Sequence, residues 1–438
     1  MELTTPLRAA PASAPAARRL LTAAGFLLFA LMLFLPATRA YRPYKGLLLG
    51  LTLLVLLARC FVTRSILLHP AVLLGTLLFS CLGLFHVILG YVNGAPGALR
   101  MSTVFVIWPW VYALLMTGIA TERRLMQVGR VLIWVSIAIC LYCLSYVFWA
   151  AGMLPNALYL PLDLGQRIGF YHGFVEFTVK SLSSLIFTVP FITAALLAWP
   201  ADYVVSRRVL WFGLVLGFLV GLLSGRRALQ LVVALGFPIA LALRLQLPPV
   251  QRRAAPLRRT FLAMVGASTA AVLVLGATVG LELDVMWEMF KSGFAFSTDP
   301  VAQSRAVQFD ALLAGWAANP LLGSGHGAPA PGVIRSTEMP WAYELAYLAL
   351  LYHTGLVGLL VYAGGIAWIF VMSRRVIREG GPLAPLTVAI LTGACTFLIA
   401  NATNPYLETY DYLWVIFLPL AVVNVLLLGR PAAGTARA

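Results

Sequence analysis

SRAVQFDALLAGWAANPLLGSGHG, residues 304–327, and YELAYLALLYHTGLVGLLVY, residues 343–362, decide how this chain is organised. The second stretch is an apolar helix that starts beside a glutamate. The first is a polar, glycine-studded approach to it. Ionisable groups are rare in hydrocarbon unless they pair or line a cavity. Here Arg305, Asp310, His326, Arg335, Glu338 and Glu344 gather beside the start of one helix. This is where chemistry is expected.

Outward from this stretch the chain is almost wholly apolar. Of its 438 residues 61% are hydrophobic and 11% charged, against about a quarter charged in soluble domains. Apolar runs of about 20 residues, enough to cross a bilayer, recur near 20–36, 45–61, 69–90, 100–120, 127–151, 177–199, 208–223, 227–246, 260–281, 342–372, 383–403 and 411–428. The spacing predicts an all-α polytopic membrane protein of about twelve transmembrane helices. The expected order is a disordered cytoplasmic tail over 1–19, helices one to nine over 20–281, a large outer loop over 282–341, the last three helices over 342–428, and a short tail over 429–438.

Lys and Arg set the orientation. With the N-terminus in the cytoplasm, 20 of the 31 basic residues but only 4 of the 15 acids fall on that side, which carries the whole formal charge of +16. The basic balance is therefore a topology signal and speaks against a nucleic-acid partner. Both termini are expected in the cytoplasm. The five cysteines lie in or at the ends of apolar runs and read as buried free thiols, Cys140-x-x-Cys143 included. No P-loop, dinucleotide fingerprint, Asp-x-Asp or metal-spaced His/Cys cluster occurs, so neither a nucleotide nor a metal cofactor is expected.

Two expected outer loops are long. One, near 152–176, carries Asp163, Arg167, His172 and Glu176 among aromatics. The other holds a helix predicted from Pro300 to Ala318, with Pro300 suited to the first turn and Asn319-Pro320 beyond its end. On a helical projection Val301, Phe309, Leu312, Leu313 and Trp316 form one stripe that includes Arg305. Arg305 thus either reaches a headgroup or protein cavity or simply faces lipid. The glycines of 321–327 either let backbone N–H groups cradle an anion or turn the chain. Glu344, aligned with Gly355 and Gly358, either faces a neighbouring helix or complements a helix dipole. Ser224-Gly225-Arg226-Arg227 opens a helix on the outer side, against the positive-inside bias. Two guanidiniums at a helix N-terminus suit a diphosphate, with solvation among headgroups as the alternative. Glu408 and Asp411, within an aromatic interfacial segment, are candidate sugar contacts, as are Arg335 and His172.

The order SGRRA, then SR…NPLLGSGHG in a large loop, then ELAYLALLYHTGLVGLLVY resembles the O-antigen ligase/polymerase superfamily of bacterial envelope enzymes, over roughly 224–362. The resemblance implies an all-α glycosyltransferase C-like fold with short helices in the periplasmic loop. It implies transfer of a glycan from undecaprenyl diphosphate to a hydroxyl on the periplasmic face, without metal or nucleotide, and a chain-length regulator as a partner protein. Arg226 or Arg227 and Arg305 would hold the diphosphate, and Glu344 would be the base, with His326 as an alternative. Where ligases of the superfamily carry His-Asn, this chain has Glu344-Leu345. That departure points to the polymerase branch, which extends lipid-linked repeats. Transfer to lipid A core or protein, and lipid-glycan transport, are the competing expectations.

Overall fold

A computed structural model describes residues 15–171, 174–253 and 300–429, with 262–264, 266 and 269 between them. Most of the expected span at 260–281, the loop segment 282–299, His172 and most of both tails lie outside the described residues. The helices are α1 (Pro15–Phe34), α2 (Arg42–Thr63), α3 (Pro70–Val92), α4 (Ala98–Gly118), α5 (Glu122–Ala150), α6 (Leu182–Ala198), α7 (Arg207–Leu223), α8 (Arg227–Arg244), α9 (Pro300–Ala318), α10 (Ala346–Glu379), α11 (Ala384–Asn401) and α12 (Trp414–Leu428). Eight segments are long and apolar enough to cross a membrane: α2 to α5, α8, α10, α11 and Tyr410–Leu428. Helices also form at the expected spans 20–36, 177–199 and 208–223, but their apolar parts are shorter.

Local chemistry marks the helix starts. Pro70 opens α3 behind His69, whose ring nitrogen accepts the Ala71 N–H at 3.2 Å. Thr121 caps α5 through its hydroxyl, satisfying a donor that has no partner within the helix. The loop before α6 holds an element the hydropathy profile does not reveal, an antiparallel hairpin of β1 (Arg167–Tyr171) and β2 (Phe174–Thr178) with Arg167 opposite Thr178.

α6 is the axis of the bundle and is buried along its whole length. A helix apolar all round belongs in the interior, and α11, α8, α7 and α5 pack against it. Its few polar groups are paired inside the protein. Ser184 donates to Leu33 O at 2.7 Å and Thr188 to the Ser136 hydroxyl at 3.0 Å. Gly236 of α8 lies so near Pro190 that a Cβ there would meet the ring at 3.0 Å, and small residues let membrane helices approach this closely. All five cysteines are free thiols, but only Cys140 and Cys143 are buried as expected; Cys60 and Cys395 are half-buried and Cys81 is exposed.

One expectation needs correction. The run 342–372 reads as one helix, but α10 is broken at Gly355, which sits at φ 63° and ψ −171°. That region is essentially open only to glycine. The glycine loop after α9 fills the gap. Leu356 and Val357 N–H donate to Pro320 and Leu321 O at 2.9 and 3.1 Å. In return, Tyr352 and His353 O accept from Ser324 and Gly325 N–H, both at 2.9 Å. A helix opened among apolar neighbours must have its freed backbone groups satisfied, and this segment satisfies them.

Candidate functional site

α9 begins at Pro300 and stops before Asn319-Pro320, as its sequence signals predict. Its buried residues are Gln308, Leu312 and Gly315, with Arg305 half-buried on the same side, while Phe309 and Leu313 are exposed. Of the stripe read from the projection, Leu312 and Arg305 thus turn to the packed face, while Phe309 and Leu313 turn away from it. Arg305 faces the protein because Gln308 and Gly315 dock on the start of α10. Gln308 Oε1 accepts the Glu344 N–H at 2.9 Å, and Gly315 lies flat against the Tyr352 ring.

Glu344 sits two residues ahead of α10 but does not cap it. Its carboxylate turns across the loop instead. Oε2 accepts from Arg305 Nε at 2.8 Å, and Oε1 pairs with Arg335 Nη2 at 3.1 Å. Both oxygens are therefore engaged by guanidinium groups, an arrangement stronger than neutral hydrogen bonding. Tyr343, fully buried, shapes the loop that carries Arg335. Its hydroxyl donates toward Pro340 O at 2.9 Å or Val333 O at 3.1 Å and accepts the Ala330 N–H.

Two further groups join from other parts of the chain. The 3-10 turn Tyr406–Glu408 follows α11 and is held by Asn401 Oδ1, which accepts the Leu407 N–H at 3.0 Å. Tyr406 packs on Phe397 and Tyr412, with ring centroids 5.3 and 5.6 Å away. Its phenol meets Arg226, which partly offsets the rise in its pKa caused by burial. Arg226 is the N-cap residue of α8, and its N–H donates to the Ser224 hydroxyl at 3.3 Å. Glu408 faces Arg335. Desolvation pushes its carboxyl up to about 8, against the lowering pull of that guanidinium.

Arg226, Tyr406, Glu408, Arg335, Glu344 and Arg305 thus form one string of polar groups drawn from α8, α9 and the segments that flank α11 and precede α10. Arg227 opens α8 beside it. The arrangement offers cations grouped within reach of an anion, with two carboxyl groups among them.

Other candidates stand elsewhere. Asp411 is buried and pairs with Lys45 Nζ at 3.2 Å while accepting the Ala37 N–H at 2.8 Å. Its oxygens are committed to α2 and its approach, so it is not placed to touch a sugar. Glu338 pairs with Arg39 at 2.7 Å on an exposed surface, and Asp310 is exposed on α9. The amides of Ser324, Gly325 and His326 donate to Tyr352, His353 and His86 O, so these three are not available to cradle an anion. His326 is fully buried, with its ring stacked on Phe105 at 3.9 Å and 5.8 and 6.1 Å from the rings of His86 and His353. The structure does not bring it to Glu344. Neither ring nitrogen of His326 or His86 has a hydrogen-bond partner among the described residues, whereas His353 Nε2 meets Ala328 O at 2.9 Å. Among the described residues no three His, Cys, Asp or Glu side chains are arranged to hold a metal ion.

Sequence reasoning missed Tyr406 and Tyr343. The only signal was the density of aromatics in TNPYLETYDYLW and around Trp341, which reads equally well as an interfacial belt. Comparison with known proteins gives no match to any family model and no match among curated proteins.

Proposed function

We propose that the protein is a glycan polymerase of the bacterial inner membrane. It transfers a growing glycan from undecaprenyl diphosphate to a sugar hydroxyl of another lipid-linked repeat on the periplasmic face. The observation that carries this reading is the pairing of Arg305 and Arg335 on the two oxygens of Glu344, with Arg226 linked to the same group through Tyr406 and Glu408. A lipid diphosphate leaves readily once its charge is met, and guanidiniums already held in place meet it without reorganisation. An interfacial position among spanning helices suits a donor whose head is polar and whose tail lies in lipid. On this reading Glu344 orders the arginines before the donor arrives and is displaced toward one of them as the diphosphate binds.

Arg226→Ala, Arg305→Ala and Arg335→Ala are each expected to reach the membrane at wild-type level and to reduce polymer formation about 100-fold or more, as loss of one preorganised charge donor does. The check is a gel of cell-surface glycan beside a blot of the protein. Normal ladders in all three would remove the diphosphate assignment. In a deletion strain, loss of the ladder with single repeats still attached marks a polymerase, and accumulation of carrier-bound polymer marks a ligase.

One observation favours a second reading, lipid-glycan transport. α10 is interrupted roughly 14 Å from its start, beside three buried histidines, and broken helices at mid-membrane depth are common in transporters. Against it, the break is closed by backbone hydrogen bonds and not left open to a ligand. Purified protein that converts lipid-linked repeats to polymer in detergent, where no flux exists, decides for the transferase.

A further inference from the structure

Glu344 spends both carboxylate oxygens on arginine, Oε2 on Arg305 and Oε1 on Arg335. To meet a substrate hydroxyl it would first have to release one of these arginines, so its oxygens are not open to an acceptor. Glu408 stands differently. It ends the Tyr406–Glu408 turn, only part-exposed, and among the described residues no hydrogen bond to its carboxylate is found. The turn cannot drift, because Asn401 holds its backbone and the Tyr406 ring is wedged between Phe397 and Tyr412.

We propose that Glu408 takes the proton of the attacking sugar hydroxyl, which makes Glu344 a positioning residue for Arg305 and Arg335. The inference rests on the transferase reading above. As the acceptor oxygen bonds to the anomeric carbon, its O–H bond breaks and the proton passes to the Glu408 carboxylate. The bond from that carbon to the diphosphate oxygen breaks, and its electron pair leaves with the polyprenyl diphosphate. The charge left on that group falls among Arg226, Arg305 and Arg335. Glu408 then returns its proton to water.

The surroundings of Glu408 suit this task. Arg335 faces it from the loop before α10, Tyr343 feels its charge from the same loop, and Arg226 is one residue removed through Tyr406. Desolvation outweighs the pull of Arg335, so the carboxyl titrates near 8, close to the pH at which a general base works best. The sign is definite. The active form is the carboxylate, so turnover rises as pH climbs from 6 through 8 and levels off above.

The experiment is turnover of defined lipid-linked repeats by the purified full-length protein in detergent, from pH 6 to 9. Wild type should show the alkaline rise. Glu408→Gln should lower kcat about 100-fold or more, leave the KM for donor near wild type and erase the rise, whereas Glu408→Asp should restore part of both. Glu344→Gln should raise the donor KM and keep the rise. Melting curves in detergent show whether each variant is folded. If Glu408→Gln is folded and keeps wild-type kcat and pH profile while Arg305→Ala is inactive, the Glu408 assignment falls and the transferase reading survives. A Glu408→Gln melt that collapses moves the decision to Glu408→Asp, whose profile must shift if the assignment holds. No turnover by the wild-type protein would overturn both.

Discussion

Gly355→Ala should leave little folded protein to assay. The residue occupies backbone space that side chains avoid, which costs about 1–3 kcal/mol. A Cβ there would also lie 2.3 Å from Leu321 O and 2.4 Å from the Leu321 carbonyl carbon. Those atoms cannot step aside, because Leu321 O is the acceptor for Val357 N–H across the break in α10. Overpacking adds about 1–3 kcal/mol more, and together these are a large fraction of the about 5–15 kcal/mol that holds an ordinary domain folded. The loop side of the contact is equally tight, since a Cβ on Gly323, at φ 69°, would lie 2.5 Å from Gly355 N. Gly323→Ala should therefore behave alike. Gly364→Ala, further along α10 with nothing within 4 Å of its Cβ position, should be neutral or slightly stabilising. Size-exclusion profiles and melting temperatures in detergent check all three. A wild-type profile for Gly355→Ala would mean that α10 is continuous.

The second large effect is expected from Lys45→Ala. Lys45 and Asp411 are 8% and 3% exposed at their side chains and 3.2 Å apart. Lys45 Nζ also donates to Leu35 O at 2.9 Å. Removing the ammonium strands a buried carboxylate, a change that typically costs about 3–5 kcal/mol. The double variant Lys45→Met with Asp411→Asn should recover most of that loss, because neither side then carries a charge and the amide oxygen still accepts the Ala37 N–H. Thermal melting of single and double variants reads the difference. A single variant as stable as wild type would mean the pair contributes nothing. The consequence reaches the site, since Asp411 follows Glu408 by one short turn and anchors it.

Much of the architecture was legible because hydropathy and charge report it directly. The eight spanning segments fall where apolar runs predict them. α9 keeps the bounds that Pro300 and Asn319-Pro320 set, and SGRR does join α7 to α8. What escaped was of two kinds. Glycine barely alters an apolar run, so 342–372 reads the same whether α10 is whole or interrupted, and only the backbone partners of Pro320–Gly325 distinguish the two. The packed face of α9 was only half legible, because Leu312 and Arg305 of the projected stripe turn inward but Phe309 and Leu313 do not. Beside a bilayer they are free to point out, and Gln308 and Gly315 take the inner face. The role of Asp411 was hidden because Lys45 lies 366 positions away in the chain. Of the site, the arginines and Glu344 were foreseeable as charges at a boundary. Their pairing on Glu344, and the place of Glu408 beside Arg335, depend on how four distant segments meet.

The two staples at either end of the segment from α9 to α10 have a mechanical result. Arg305 is clipped to Glu344 at one end, and Pro320 and Leu321 are knitted into α10 at the other. Chain between two fixed ends cannot swing, so the rim that presents Arg335 behaves as a stiff collar whose shape is set before any visitor arrives. The opposite lip, the short turn at Tyr406–Glu408, is pinned in its own way by Asn401, Phe397 and Tyr412. Neither lip of the aperture is thus free to flap, and the unclaimed acid is offered from a fixed perch.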